Sequence, residues 1–146
     1  RIMSLKDGSK KMSKSELSDL SRINLTDSKD QIINKIKKAK TDPMPMPNGL
    51  QELDERLEAK NLLGIYASLT NTTLEKSIEN FSGKNFSEFK ESLSEILVNK
   101  IEPISIEIKK LLADQKYLDQ ILLEGVEKAN LIASKKIQKI KEIVGF

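Results

Sequence analysis

From Phe86 to Ile143 the apolar residues recur every three or four positions. A helix brings positions three and four apart onto one face, whereas a strand needs alternation by two. Phe86, Phe89, Leu93, Ile96, Leu97, Ile101, Ile104, Ile108, Leu111 and Leu112 hold the spacing over about seven turns. Leu118, Ile121, Leu122, Val126, Ala129, Ile132, Ala133, Ile137, Ile140 and Ile143 resume it, and Asp114 is placed to cap that second helix. Gly125, Ala129 and Ala133 lie four apart, so a partner helix can approach that side closely. Pro103 falls inside the first run and predicts a kink or split near residues 99–103. With no convincing strand alternation elsewhere, the fold class reads as mainly α, a helical bundle.

Two shorter helices precede this run. Leu62, Leu63, Tyr66, Ala67 and Leu69 share one face, and Thr73 caps a segment carrying Leu74, Ile78 and Phe81. Tyr66 and Phe89 at this spacing read as core. Further upstream, Asp27 or Ser28 opens a helix to about Lys40 whose stripe is Ile32, Ile33, Ile36 and Ala39. Lys35, Lys37, Lys38 and Lys40 fall largely outside that stripe and read as a solvated cationic face. Between the two regions stands Thr-Asp-Pro-Met-Pro-Met-Pro-Asn-Gly, residues 41–49. Prolines at 43, 45 and 47 exclude helix interior. This stiff connector is the best internal boundary in the sequence. Arg56 just beyond it reads as a structural salt-bridge residue.

The 146 residues contain neither Cys nor His. Within this chain that excludes disulfides, thiolate metal sites, thiol nucleophiles and imidazole catalysis. No metal site is expected. No stretch approaches the roughly 20 apolar residues of a membrane span. The chain starts Arg-Ile-Met-Ser-Leu, without an initiator Met in first place, and is expected to be part of a longer, soluble, cytoplasmic protein. Its net charge of +3 is uneven, because residues 1–42 carry a balance of +5 and the remainder −2. A local cationic excess points to an anionic partner, such as phosphate or nucleic acid.

The cationic segment contains Lys11-Met12-Ser13-Lys14-Ser15 in a Ser-rich stretch with Gly8, from residue 6 to 22, that has little to bury. Two lysines three apart on such a loop can bring two ammonium groups to one polyphosphate. Backbone N–H groups and the Ser13 and Ser15 hydroxyls add donors. A mobile loop can also deliver charge when a transition state develops it. The pattern GxxxxGK[ST] of the nucleotide phosphate loop is absent.

Lys11–Ser15 reads KMSKS, which resembles the second signature of class I aminoacyl-tRNA synthetases. Arg1-Ile-Met-Ser-Leu, Ile36-Lys-Lys-Ala-Lys-Thr-Asp, Asn61-Leu-Leu-Gly-Ile-Tyr, Gly83-Lys-Asn-Phe-Ser-Glu-Phe-Lys, Leu123-Glu-Gly-Val-Glu-Lys-Ala and the terminal Gly145-Phe146 follow in order. Together they resemble the C-terminal part of the tryptophanyl-tRNA synthetases, with the tyrosyl-tRNA synthetases as nearest competitor. The resemblance covers essentially the whole chain.

The resemblance implies a division into three parts. Residues 1–42 would be the motif loop and a helix at the edge of a nucleotide-binding core that the chain does not contain. Residues 43–58 would connect it to a helical, anticodon-side domain at 59–146. It implies a ligase that activates tryptophan with ATP and Mg2+ and transfers it to tRNA(Trp), without a prosthetic group, as a homodimer and away from membranes. Ile2, Lys11, Met12, Ser13, Lys14 and Ser15 would bind ATP. Lys14 would be catalytic at the leaving pyrophosphate, with Lys11 assisting. Lys35, Lys38, Lys109 and Lys110 are the candidate tRNA contacts. The first class signature, HIGH, cannot occur here because there is no His, so the chain alone is expected to be inactive. A stand-alone helical module for RNA or protein binding is the alternative.

Overall fold

The computed structural model describes residues 1–145. Phe146, half of the terminal pair in the resemblance, lies outside the described residues. Five α-helices follow one another: α1 (Lys29–Lys37), α2 (Leu57–Thr70), α3 (Leu74–Phe81), α4 (Phe86–Ala113) and α5 (Gln115–Val144). Short 3-10 turns cover Asp19–Ser21 and Leu50–Asp54. Among the described residues the only extended pairing is one antiparallel bridge, Met3 with Lys11. The mainly helical reading therefore holds.

The chain divides into two compact units, Arg1–Ile106 and Glu107–Phe146. The division falls inside α4 and not at the proline-rich segment. That segment packs within the first unit: Met46, Pro47, Leu53 and Arg56 are all buried. Met46 N–H donates to Lys84 O at 2.8 Å, and Gly83 N–H returns to Met46 O at 3.3 Å. Prolines stiffen the backbone whether or not it is solvated. The methionines between them decide its fate here, because Met46 is anchored in the core while Met44 faces solvent.

Helix ends follow local chemistry. Ser28 caps α1 in a reciprocal box with Gln31, and Thr73 Oγ1 caps α3 by accepting from Lys76 N–H. Asn71 closes α2 in the left-handed region at φ 54°, a conformation Asn tolerates better than most residues. Lys90 of α4 donates to Lys37 O at 3.3 Å and Ala39 O at 2.7 Å, placing a cation on the negative end of α1.

The first unit holds the core: Ile32 and Ile36 of α1, Leu62 and Leu63 of α2, Phe81 of α3, and Phe89 and Leu93 of α4. Tyr66, Phe81 and Phe89 form an aromatic cluster, with the Phe81 and Phe89 centroids 4.9 Å apart and edge-to-face. Phe89 is thus a core residue and Tyr66 packs half-buried against the core, on the face their spacing predicts. Ile33 is the exception in the α1 stripe. It is 39% exposed and lines an open groove of about 630 Å3 between α1 and the first half of α4.

Pro103 does not split α4, which runs unbroken from Phe86 to Ala113. A single proline removes one intrahelical hydrogen bond, to the carbonyl four residues earlier, and the remaining bonds carry the helix past it. In the second unit Asp114 caps α5 by accepting from Tyr117 N–H at 3.1 Å. No residue of α5 is buried, so its expected apolar stripe has no cover within the unit.

Candidate functional site

The motif loop leaves and rejoins the body at two separately fastened bases. On its N-terminal side, Ser4 N–H donates to Lys10 O at 2.8 Å and Met12 N–H to Ile2 O at 3.2 Å. Gly8 is buried against α2, where a Cβ would stand 2.6 Å from the Leu57 carbonyl carbon. Only glycine allows that approach. On the C-terminal side, Leu5 N–H donates to Ser21 O at 2.9 Å. Of residues 6–22 only Gly8 and Ser21 are buried, so the stretch has little to bury, yet its two bases are fastened by backbone bonds. Only the tip is free of such ties. There Ser13 and Ser15 bond each other through their hydroxyls at 2.9 Å, and Leu17 is fully exposed.

Beside the loop lies an open cleft of about 710 Å3. Ile2, Met12, Ile23 and Leu25 give it apolar walls, while Arg1, Lys11, Lys14 and Arg22 supply cations. Ser13 and Asn24 complete the lining, which contains no carboxylate. Neither Lys11 nor Lys14 has an ion-pair partner among the described residues. An apolar slot rimmed by cations, Lys11 and Lys14 among them without an ion-pair partner, suits a flat ring joined to a polyphosphate. Five of the six residues expected to bind ATP, namely Ile2, Lys11, Met12, Ser13 and Lys14, line this one cleft. Ser15 does not; it points its bonds back to Ser13.

Lys35 departs from expectation and is withdrawn as a tRNA contact. It is 2% exposed, and its Nζ lies 2.7 Å from both Asp27 Oδ2 and Asp19 Oδ2. One turn away from Ile32 and adjacent to Ile36, it sits at the edge of the buried stripe, and the two carboxylates make its burial possible. The hydrogen bond from Lys35 holds the Asp19 carboxyl below the usual range, with help from Asn24. Lys38 is exposed at the C-terminal cap of α1. Lys109 and Lys110 are exposed in the second unit, and Lys110 pairs with Glu107 at 3.4 Å.

Arg1, Arg22, Ile23, Asn24 and Leu25 belong to the cleft and were not singled out from sequence. Arg22 carried a signal in being one of three arginines. Arg1 carries the same signal, whereas Ile23, Asn24 and Leu25 reach the cleft only because the chain turns back beside the motif. Arg56, by contrast, is the structural ion-pair residue it reads as. It is 7% exposed, reaching Asp42 Oδ1 at 2.8 Å, Asp42 Oδ2 at 3.0 Å and Pro45 O at 2.7 Å. Among the described residues no group of three or more potential ligands gathers to hold a metal, and no helix is long and apolar enough to cross a membrane.

The chain is 50% identical over all 146 residues to a tryptophan–tRNA ligase of Agrobacterium fabrum and covers 41% of that protein. It is 49% identical over its full length to the tryptophan–tRNA ligase of Rickettsia felis, covering 44% of it. It therefore spans less than half of the relatives it matches. The crystal structure of tryptophanyl-tRNA synthetase from Mycoplasma pneumoniae aligns with the whole chain and 45% of its own, at a TM-score of 0.69 and 26% identity. Residues 1–102, loop and cleft included, match the family described as tRNA synthetases class I (W and Y), and the chain belongs to that family.

Proposed function

We propose that the protein carrying this chain is a tryptophan–tRNA ligase, and that these residues give it the ATP-phosphate loop and a helical face for tRNA(Trp). The observation that carries the proposal is the assembly of Ile2, Met12, Lys11 and Lys14 around one carboxylate-free cleft. In the first step the tryptophan carboxylate attacks the α-phosphorus of ATP, the bond to the bridging oxygen breaks, and pyrophosphate leaves with the electron pair. Lys14 sits on the tip and meets that growing charge, and Lys11 at the fastened base assists. The apolar walls hold the adenine side. In the second step a terminal ribose hydroxyl of the tRNA attacks the activated carbonyl and AMP leaves. Mg2+ enters with ATP as part of the substrate complex.

Lys38, Lys109 and Lys110 are the cations proposed to meet tRNA phosphates, and the enzyme is proposed to act as a homodimer in the cytoplasm. The 146 residues alone, with no histidine for a HIGH signature, are proposed to be inactive. The test is amino-acid-dependent exchange of pyrophosphate into ATP by the protein that contains this chain. Exchange with tryptophan and none with tyrosine is the expected result. A tyrosine preference would overturn the substrate, and failure to exchange with either would overturn the ligase reading.

A further inference from the structure

A buried lysine needs one well-placed carboxylate to offset the cost of leaving water. Asp27, itself 5% exposed at the side chain, meets that need for Lys35. The second partner is harder to explain on those grounds. Asp19 is 54% exposed at the side chain and stands on the segment that returns from the motif loop. It also ties Lys35 to everything that fixes that return. Arg22 Nη2 reaches Asp19 Oδ1 at 3.1 Å, and Arg22 Nη1 donates to Glu16 O at 2.9 Å. Asn24 Nδ2 donates to Asp19 Oδ1 at 2.9 Å and to Asp27 Oδ1 at 3.2 Å, while Asn24 N–H donates to Asp27 Oδ2 at 2.8 Å. An unbroken line of polar contacts thus runs from α1 through Lys35, Asp19 and Arg22 to Glu16, two residues beyond Lys14.

We infer that Lys35 is a positioning residue for the Lys14 tip, acting through Asp19 and Arg22 as a latch on the C-terminal base of the motif loop. The proposal rests on the reading of the adjacent cleft as an ATP site. It deepens that reading by separating the two sides of the loop. Ile2, Lys11 and Met12 are fastened by backbone bonds that do not involve the latch. Lys14 stands on the side that the latch controls. Loosening it therefore misplaces Lys14 at the leaving group while Ile2, Lys11 and Met12 stay in register. The rate of activation falls, and the affinity for ATP hardly changes.

Asp19→Ala is the first variant, because an exposed partner can be removed without stranding a buried charge; Lys35→Met is the second, and Asp19→Glu the rescue. In the 146-residue chain, backbone order parameters of Glu16–Ser18 report the latch without any nucleotide. They are expected to fall from about 0.85 toward 0.6 in Asp19→Ala, with α2 unchanged, and to recover in Asp19→Glu. In the enzyme that contains the chain, Asp19→Ala is expected to lower kcat for tryptophan activation about tenfold, with KM for ATP within about threefold. In the Lys35→Met background, Asp19→Ala should add nothing further, since both break the same line. Unchanged order parameters, a raised KM for ATP with kcat unaffected, or a kcat loss no larger than the loss of folded protein would overturn the proposal. Should the parent enzyme show no activation at all, the ATP reading falls, and the order parameters alone decide the latch.

Discussion

Met3 and Asn61, 58 residues apart, hold each other by a reciprocal pair of hydrogen bonds. Met3 N–H donates to Asn61 Oδ1 at 2.9 Å, and Asn61 Nδ2 donates to Met3 O at 2.9 Å. The amide side chain thereby acts as a short strand partner, satisfying an extended segment that has no sheet beside it. Ile2, a wall of the cleft, immediately precedes Met3.

Asn61→Ala is expected to leave the Met3 N–H and C=O unpaired at a site where Asn61 is only 8% exposed. The cost should be about 2 kcal/mol, read as a lower urea midpoint with an unchanged slope. Asn61→Asp keeps the acceptor, loses the donor and should also destabilise. A midpoint unchanged in both variants would show that the pair contributes nothing net.

The Arg56–Asp42 pair makes a pH prediction. Burial pushes the Asp42 carboxyl up, but the hydrogen bonds from Arg56 and from Met44 N–H outweigh it, so its folded pKa lies below the ordinary value of 3.8. A depressed carboxyl pKa contributes stability above the unfolded pKa and loses it as pH falls through the folded one. Stability should therefore drop below about pH 4. In Arg56→Met the depression is reduced, since Met44 N–H still donates to Asp42, and the acid slope becomes shallower, on top of a loss of about 2 kcal/mol at neutral pH from breaking the pair. Parallel acid profiles for the two proteins would contradict this.

What the sequence makes legible follows from which forces are local. Helix periodicity and the Ser28, Thr73 and Asp114 caps are contained in short windows, and each stands where its pattern places it; the pentapeptide is equally local, and its first four residues line one cleft. Lys35 and the proline-rich segment are different. A lysine's burial depends on carboxylates supplied from elsewhere, here Asp19, and Met46 is buried through a pairing with Lys84 that no local pattern announces. Ile23 and Leu25 became cleft walls by the same kind of long-range placement.

The second unit sets up a contrast in local stability. α5 buries no residue, and Ile132, Leu122 and Ile143 are all more than 60% exposed, whereas α2 buries Ala59, Leu62 and Leu63 almost completely. Amide protection tracks buried apolar contact rather than helix length. In the 146-residue chain at low concentration, α5 amides should exchange at least a hundredfold faster than those of α2, a gap of about 2.7 kcal/mol. Equal protection in the two helices would mean that α5 is covered in solution.

Lys14 supplies the sharpest test of the chemistry. It has no ion-pair partner among the described residues, and it stands on the only part of the loop held by local bonds alone. An ammonium that engages pyrophosphate only as the bond to the α-phosphorus breaks lowers the barrier without tightening ground-state ATP binding. Removing a charge preorganised for a developing anion costs about 3–4 kcal/mol, or roughly 10²–10³ in rate. Lys14→Ala in the enzyme containing this chain should slow adenylate formation by about that factor, with a smaller change in ATP affinity. Transfer to tRNA no longer involves pyrophosphate and should be slowed less. Lys11→Ala should be milder than Lys14→Ala, because Lys11 lies at the fastened base. Single-turnover measurements of activation and of transfer separate these outcomes. Activation within about threefold of the parent, a difference of only about 0.7 kcal/mol, would reduce Lys14 to an ordinary cation of the loop.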